Sequence, residues 1–201
     1  MRPEDTPPHL GEEVIRPCNF GGAICCHSST MTTTESRNMV RDAEVAKNPP
    51  FLENSAMKIL YVDMDNVLVN FPSGIERISP ELQKQYKGRM DEVPGIFSLM
   101  DPMDGAIEAY RELCRRYDTY ILSTAPWENP SAWSDKLEWV KRYLGGHARK
   151  RLILSHNKNL NAGDYLIDDR TKNGADRFSG ELIRFGSDDF PNWNAVLSYL
   201  I

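Results

Sequence analysis

A chain of 201 residues, 40% hydrophobic and 26% charged, is long enough for one domain with a real core and has the balance of a globular protein. Its net charge of −5 provides no general attraction to phosphate backbones, so a nucleic-acid polymer is not an expected partner. No apolar run approaches bilayer-spanning length, and no basic start is followed by an apolar segment, so neither a membrane partner nor a secretory signal is expected.

Residues 1–56 stand apart from the rest. They contain RPEDTPPHL, HSSTMTTTES and NPP without sustained periodicity. Such a composition cannot bury enough apolar surface to offset the entropy of ordering, so a disordered extension is expected. Cys25, Cys26 and His27 would supply half of a zinc site, but no second pair at ligand spacing follows, and zinc is not expected. Glu4, Asp5, Glu12 and Glu13 carry the wrong charge for a transit peptide. Met57 opens the ordered part and reads as a natural start. Of the remaining cysteines, Cys18 falls in the same segment and Cys114 in a helical pattern, which suits a reduced, cytoplasmic protein.

From Met57 onward, strands and helices alternate. KILYVD is a buried strand. SPELQKQYKGR starts a short helix, with Ser79 as N-cap and Pro80 at the first helical position. DGAIEAYRELCRRY places Ile107, Tyr110, Cys114 and Tyr117 on one helical face. TYILS is the next strand, and NPSAWSDKLEWVKRYLGG a helix closed by Gly145 and Gly146. RLILS, YLID and ELIRF follow as strands, and a last helix begins near Asn192. The alternation predicts an α/β fold, a Rossmann-like parallel sheet with helices on both faces. About residues 71–100 the rhythm breaks. That stretch is too long for an ordinary βα loop and reads as a small helical cap inserted after the first strand, where a lid would sit.

Ligands of an open parallel sheet bind beyond the carboxyl ends of its strands. The residues predicted there are Asp63 with Asp65, then Ser123 with Thr124, then Lys158, then Asp168 with Asp169. Singly, each has a plain structural reading as a turn, a cap or a solvated charge. Together they make a narrow chemistry. Carboxylates packed this closely cannot all ionise without a cation, and an all-oxygen set with a phosphate partner suits Mg²⁺. Lys158 and the Ser123 hydroxyl would hold phosphoryl oxygens. One carboxylate can attack phosphorus, while another two residues away moves protons. The set points to phosphoryl transfer through an aspartyl-phosphate.

DMDNV, the strand-ending Ser123 and Thr124, Lys158 and LIDD resemble the four ordered motifs of the haloacid dehalogenase (HAD) superfamily of phosphohydrolases. Within it, DMDNVLVNF, ILSTAPW, EWVKRYLG and DYLIDDR are similar to the 5'(3')-deoxyribonucleotidases, over Met57 to Ile201. The resemblance implies Asp63 as nucleophile and Mg²⁺ ligand. It implies Asp65 as general acid and base, with its backbone carbonyl on the metal, and Ser123 and Thr124 as phosphate-binding hydroxyls. Lys158 would steady the phosphate, and Phe71 would pack on the nucleobase. Of the last pair, Asp169 is taken as the direct metal ligand and Asp168 as its support, although strand alternation leaves the reverse open. Asn66 stands where relatives often have Gly, and Asn tolerates left-handed backbone. Ala125 separates the hydroxyl pair from Pro126 as an extra residue. The expected substrate is a small phosphomonoester, a (deoxy)ribonucleoside monophosphate, favoured by Phe71, Phe97 and Trp127 near the predicted mouth. A sugar phosphate is the alternative, and a homodimer is left open. A phospho-accepting regulatory domain is disfavoured by Asp65, since signalling needs a long-lived phosphoaspartate.

Overall fold

The structure, a computed structural model, describes residues 56–201. The expected disordered extension and the Cys25–His27 half-site lie outside the described residues, apart from Ala56. Strand β1 (Ile59–Val62) is short and apolar, as a strand covered on both faces must be. It is followed by β2 (Val69–Asn70), α1 (Phe71–Ile75) and α2 (Pro80–Gln85), then β3 (Asp101–Pro102) and α3 (Ala106–Arg116). Next come β4 (Asp118–Ser123), α4 (Ser131–Tyr143), β5 (Leu152–Leu154), β6 (Tyr165–Asp168), β7 (Glu181–Arg184) and α5 (Trp193–Leu200). Ser79 caps α2, accepting from the Leu82 amide, and Asn192 caps α5 in the same way from Ala195. Gly145 does not simply stop α4. At φ 55° it turns the chain into a 3₁₀ segment, Gly145–Ala148. Among the described residues no helix is long and apolar enough to cross a membrane.

Five strands form one parallel sheet in the order β5-β4-β1-β6-β7. Strand β1 is central, and Val62 pairs with Ile121 on one side and Ile167 on the other. This register decides what meets what at the carboxyl edge. Asp63 comes next after Val62 and donates its amide to the Ile167 carbonyl at 2.9 Å. Asp168 and Ser123 therefore end the strands on either side of it.

Coverage of the two faces is uneven. Leu60, Val62, Ile121, Ile167 and Ile183 share one core with Ala109, Tyr110 and Leu113 of α3, Trp139 and Val140 of α4, and Trp193 and Val196 of α5. Tyr61, Leu122 and Leu166 face a smaller core with Ala175 and Phe178, which lie in and beside a 3₁₀ turn (Ala175–Arg177). The helical face of α3 centres on Ala106, Ala109, Tyr110 and Leu113, with Cys114 only half-buried beside it.

The stretch read as a cap closes on itself. Strands β2 and β3 pair antiparallel at its base, Val69 with Pro102 and Asn70 with Asp101. Between them stand α1, α2 and two 3₁₀ turns, Met90–Glu92 and Ile96–Leu99. The insertion is tied to α4 and the turn before it by side-chain hydrogen bonds, two of them fully buried. Asn129, wholly buried, donates to the carbonyls of Asp91 (2.8 Å) and Val93 (2.9 Å) and accepts from Ser131. Ser131 accepts from the Gly95 amide, and Trp139 donates to the Met100 carbonyl at 2.9 Å. Asn129→Ala would remove both of these hydrogen bonds, leaving the Val93 carbonyl only the Ile96 amide at 3.2 Å, a loss of about 1–3 kcal/mol for the two. Urea unfolding should show that loss as a lower midpoint, with faster hydrogen exchange concentrated over residues 90–100.

Candidate active site

The turn after β1 is held by one carbonyl. Met64 accepts from the amides of Leu68 (2.9 Å) and Val69 (2.8 Å), and the indole of Trp193 on α5 donates to Val67 at 3.0 Å. Asn66 takes the left-handed backbone at φ 57°, and its side-chain amide reaches Asp169 at 3.2 Å. An asparagine here does what glycine could not: it tolerates the turn and also steadies an acidic partner.

Asp63 is 2% exposed, yet a second carboxylate faces it across one lysine. Lys158, 3% exposed, lies 3.0 Å from Asp63 Oδ1 and 2.5 Å from Asp168 Oδ2. The lysine comes from a 3₁₀ turn, Lys158–Leu160, whose first amide is fixed on the Asn173 carbonyl at 2.7 Å. Asp168 also accepts the Arg170 amide at 2.9 Å, so both its oxygens are engaged. Asp63, Asp168 and Asp169 each offer a carboxylate oxygen within 4.8 Å of the others. Asp63 Oδ1 and Asp169 Oδ1 are buried and receive no well-aligned hydrogen bond, only the charge of Lys158 at 3.0 Å and of Arg170 at 3.4 Å respectively. Three carboxylates this close, two of them with an oxygen that lacks a well-aligned donor, are an oxygen-only set that fits a hard divalent cation.

Asp65 points elsewhere. Its two oxygens both accept from Lys136 Nζ, each at 2.8 Å, and the same ammonium donates to Ser123 Oγ at 3.1 Å. Lys136 is wholly buried on α4, with its Nζ 4.7 Å from the centre of the Phe97 ring. Thr124 donates its hydroxyl to the Ser155 carbonyl at 2.8 Å, so its side chain is held by a neighbouring loop.

Electrostatics follow from burial. Desolvation raises the Asp65 pKa, helped by the charge on Asp63 and opposed by Lys136. Asp168 is pushed up to about 6 by burial and then by Asp63, against the pull of Lys158. Burial alone would lower Lys158, but the charges of Asp63 and Asp168 outweigh it and hold it above the usual lysine value. Arg170 behaves likewise, with Asp169 the largest of four carboxylates raising it against burial.

Two concavities meet at this cluster. One, about 360 Å³, runs into the insertion and is lined by Asp65, Asn66, Phe71, Ile75, Met90 and Arg170. The other, about 210 Å³, is lined by Asp65, Thr124, Trp127, His156, Arg170 and Asn173. A larger apolar groove of about 760 Å³ lies between α4 and β5, but no carboxylate, hydroxyl or histidine lines it, and the chemistry is not there.

Asp63, Asp65, Ser123, Thr124, Lys158, Asp168 and Asp169 all come to this one edge. Phe71 lines the cap-side concavity, edge-on to Phe97 at 5.9 Å between ring centres. Phe97 needs correcting: it is 2% exposed and belongs to the core, not the mouth. Trp127 is 78% exposed beside His156, on the other arm. Two residues were missed. Lys136 occupies the buried stripe Ala132, Lys136, Trp139, Val140 of α4, and a lysine inside an apolar stripe was the available signal. Arg170 directly follows the acidic pair, and only the fold shows that it lines both arms.

A parallel sheet with a carboxylate pair at the end of its central strand, and a second acidic pair, a lysine and hydroxyls at the neighbouring ends, places the chain in the HAD-like class. Comparison with known proteins narrows this. The family described as "5' nucleotidase, deoxy (Pyrimidine), cytosolic type C protein" matches residues 73–192. A protein of Vibrio phage KVP40, provisionally named a 5'(3')-deoxyribonucleotidase, is 62% identical over 142 residues, covering 71% of this chain and 84% of the relative. The human cytosolic-type 5'(3')-deoxyribonucleotidase is 30% identical over 165 residues, 68% of this chain and 77% of that one. A Bordetella pertussis protein with the same provisional name is 32% identical over 137 residues, 56% and 74% respectively. The chain belongs to this 5'-nucleotidase family.

Lys158 is the group that lets Asp63 and Asp168 share a dry site. Lys158→Met should cost about 3–5 kcal/mol at pH 8, because it leaves buried charge uncompensated. The pH dependence has a definite sign. Asp168 at about 6 lies above the ordinary carboxylate value of roughly 3.9, so it stabilises the fold below that value and the contribution is lost as pH rises past 6. The variant's deficit should therefore shrink between pH 8 and pH 5 in chelator-treated protein, measured by urea midpoints.

Proposed function

We propose that this chain hydrolyses deoxyribonucleoside and ribonucleoside monophosphates to nucleoside and phosphate, through a phosphoryl group carried on Asp63. The observation that carries the reading is the division of labour between two carboxylates two residues apart. Asp63 sits against Lys158, Asp168 and Asp169, while Asp65 sits against Lys136 and Ser123. Paired titratable groups in different environments are what acid–base assignment requires.

Asp63, Asp168 and Asp169, with the Asp65 backbone carbonyl, would hold a Mg²⁺ ion. When bound, the ion neutralises charge on the phosphoryl oxygens and draws them to the carboxylates. The protein's own groups do the rest. Lys158 and the Ser123 hydroxyl hold phosphoryl oxygens, and Thr124 shapes the wall beside them. A carboxylate oxygen of Asp63 attacks phosphorus, and the bond to the ester oxygen breaks. Asp65, held above the usual carboxylate range by burial, gives its proton to the departing alkoxide. In the second half Asp65 removes a proton from water, the water oxygen bonds to phosphorus, and the bond to Asp63 breaks. Phosphate leaves and both carboxyl groups return to their starting states.

Phe71 at the cap-side wall supports an aromatic leaving part, since bases stack on such rings. A pocket of this kind discriminates against an added 2'-hydroxyl by only about a hundredfold, so ribonucleotides are slower substrates rather than excluded ones.

The test is phosphate release with Mg²⁺ from deoxyribo- and ribonucleoside 5'- and 3'-monophosphates, sugar phosphates and an aryl phosphate. Faster turnover of the nucleotides is expected. Equal rates throughout would reduce the reading to a general phosphatase, and activity surviving exhaustive chelation would remove the metal. Asp63→Asn should abolish turnover while leaving the circular dichroism spectrum unchanged.

A further inference from the structure

We infer that Lys136 is a positioning residue for proton transfer, holding the Asp65 carboxylate in register with the phosphate-binding hydroxyl of Ser123. The inference rests on the reading above, in which Asp65 serves both half-reactions.

An ammonium has three N–H donors and no acceptor. Those of Lys136 are matched by three oxygens: Asp65 Oδ1 and Oδ2 at 2.8 Å and Ser123 Oγ at 3.1 Å. Its fourth neighbour is the face of Phe97, 4.7 Å from Nζ to ring centre. None of its donors is left for a substrate. Lys158, by contrast, lies among Asp63 and Asp168, beside the group that attacks phosphorus. The two buried lysines therefore have different duties, one at the phosphoryl site and one behind the proton-transfer group.

Lys136 is enclosed by elements that are themselves hydrogen-bonded to one another. It projects from α4, whose Trp139 is hydrogen-bonded to Met100, while the preceding Asn129 and the helix's first residue Ser131 hold carbonyls and an amide of the insertion. Phe97, over the ammonium, belongs to the same insertion. Ser123 ends β4 and Asp65 follows β1, two adjacent strands. One cation thus ties helix, insertion and two strand ends to a single carboxylate. A buried ammonium is costly to desolvate, and replacing such pairs by apolar groups is often neutral for stability, so stability alone does not account for Lys136. When a substrate is bound, one Asp65 oxygen turns to the ester oxygen while Lys136 keeps the other and Ser123. This confines the carboxyl to the arc along which a proton has to travel.

The experiment compares wild type, Lys136→Met and Lys136→Arg in single-turnover and steady-state kinetics with Mg²⁺. The substrates are a deoxynucleoside monophosphate and a nitrophenyl phosphate, whose leaving group needs no proton. In the wild type, both should pass through a labelled Asp63. For Lys136→Met, nucleotide turnover should fall by about 100-fold, the scale of general acid–base catalysis, with KM changed less than about threefold. The nitrophenolate burst should survive and the phosphoenzyme should accumulate, because only its hydrolysis still needs Asp65. Lys136→Arg should recover part of the loss. Should Lys136→Met not fold, Lys136→Gln, which keeps two N–H donors, should give the same pattern with a smaller loss. Equal loss on both substrates without a burst, or no loss at all, would overturn the inference while leaving the phosphoenzyme reading intact. A wild type that never labels Asp63 would overturn both.

Discussion

The site depends on keeping a cluster of negative charge out of water. Asp63, Asp65 and Asp168 are each under one-tenth exposed, and Asp169 stands beside them half-buried. Facing these four carboxylates are two buried lysines and Arg170 at the rim. The balance leaves one negative charge uncompensated, and burying charge without a partner is among the most expensive things a fold can do. A divalent cation or a protonated carboxyl resolves it, which is why the poorly hydrogen-bonded oxygens of Asp63 and Asp169 and the raised Asp168 belong to one account.

Topology concentrates the charge where it is useful. With β1 central, its carboxyl end has β4 on one side and β6 on the other. Asp63 is thereby flanked by a hydroxyl and by an acidic pair from segments sixty and a hundred residues away in the chain. The same carboxyl edge receives Lys158 from the turn after β5 and Lys136 from the helix after β4. The insertion then walls one side, placing Phe71 on the concavity and Phe97 beneath an ammonium. Stability and chemistry share these contacts, so the cap anchored through Asn129 is part of the site's support as well as its boundary.

Two lysines of similar burial illustrate how far one-dimensional reading goes. Lys158 stands ten residues ahead of Asp168, at a motif spacing, and its place was legible. Lys136 sits on a helix whose pattern is otherwise ordinary, and its neighbours Asp65 and Ser123 are 71 and 13 residues away. Phe97 shows the opposite error. Its sequence neighbourhood suggests the mouth, but the 3₁₀ turn Ile96–Leu99 rolls it inward.

The alternation of apolar runs with helical stretches, the caps at Ser79 and Asn192, and the acidic and hydroxyl residues at strand ends were all local facts. Local chemistry determines them, so the sequence by itself determined the parallel α/β class and the carboxyl-edge set Asp63, Asp65, Ser123, Lys158, Asp168 and Asp169. What only the tertiary structure decided is pairing. Strand order, the seating of Lys136 on Asp65, the reach of Asn66 to Asp169 and the two-armed concavity around Arg170 depend on contacts between distant segments. Those contacts are selected by burial and by the need to satisfy every charge at once, conditions that no stretch of the chain can meet alone.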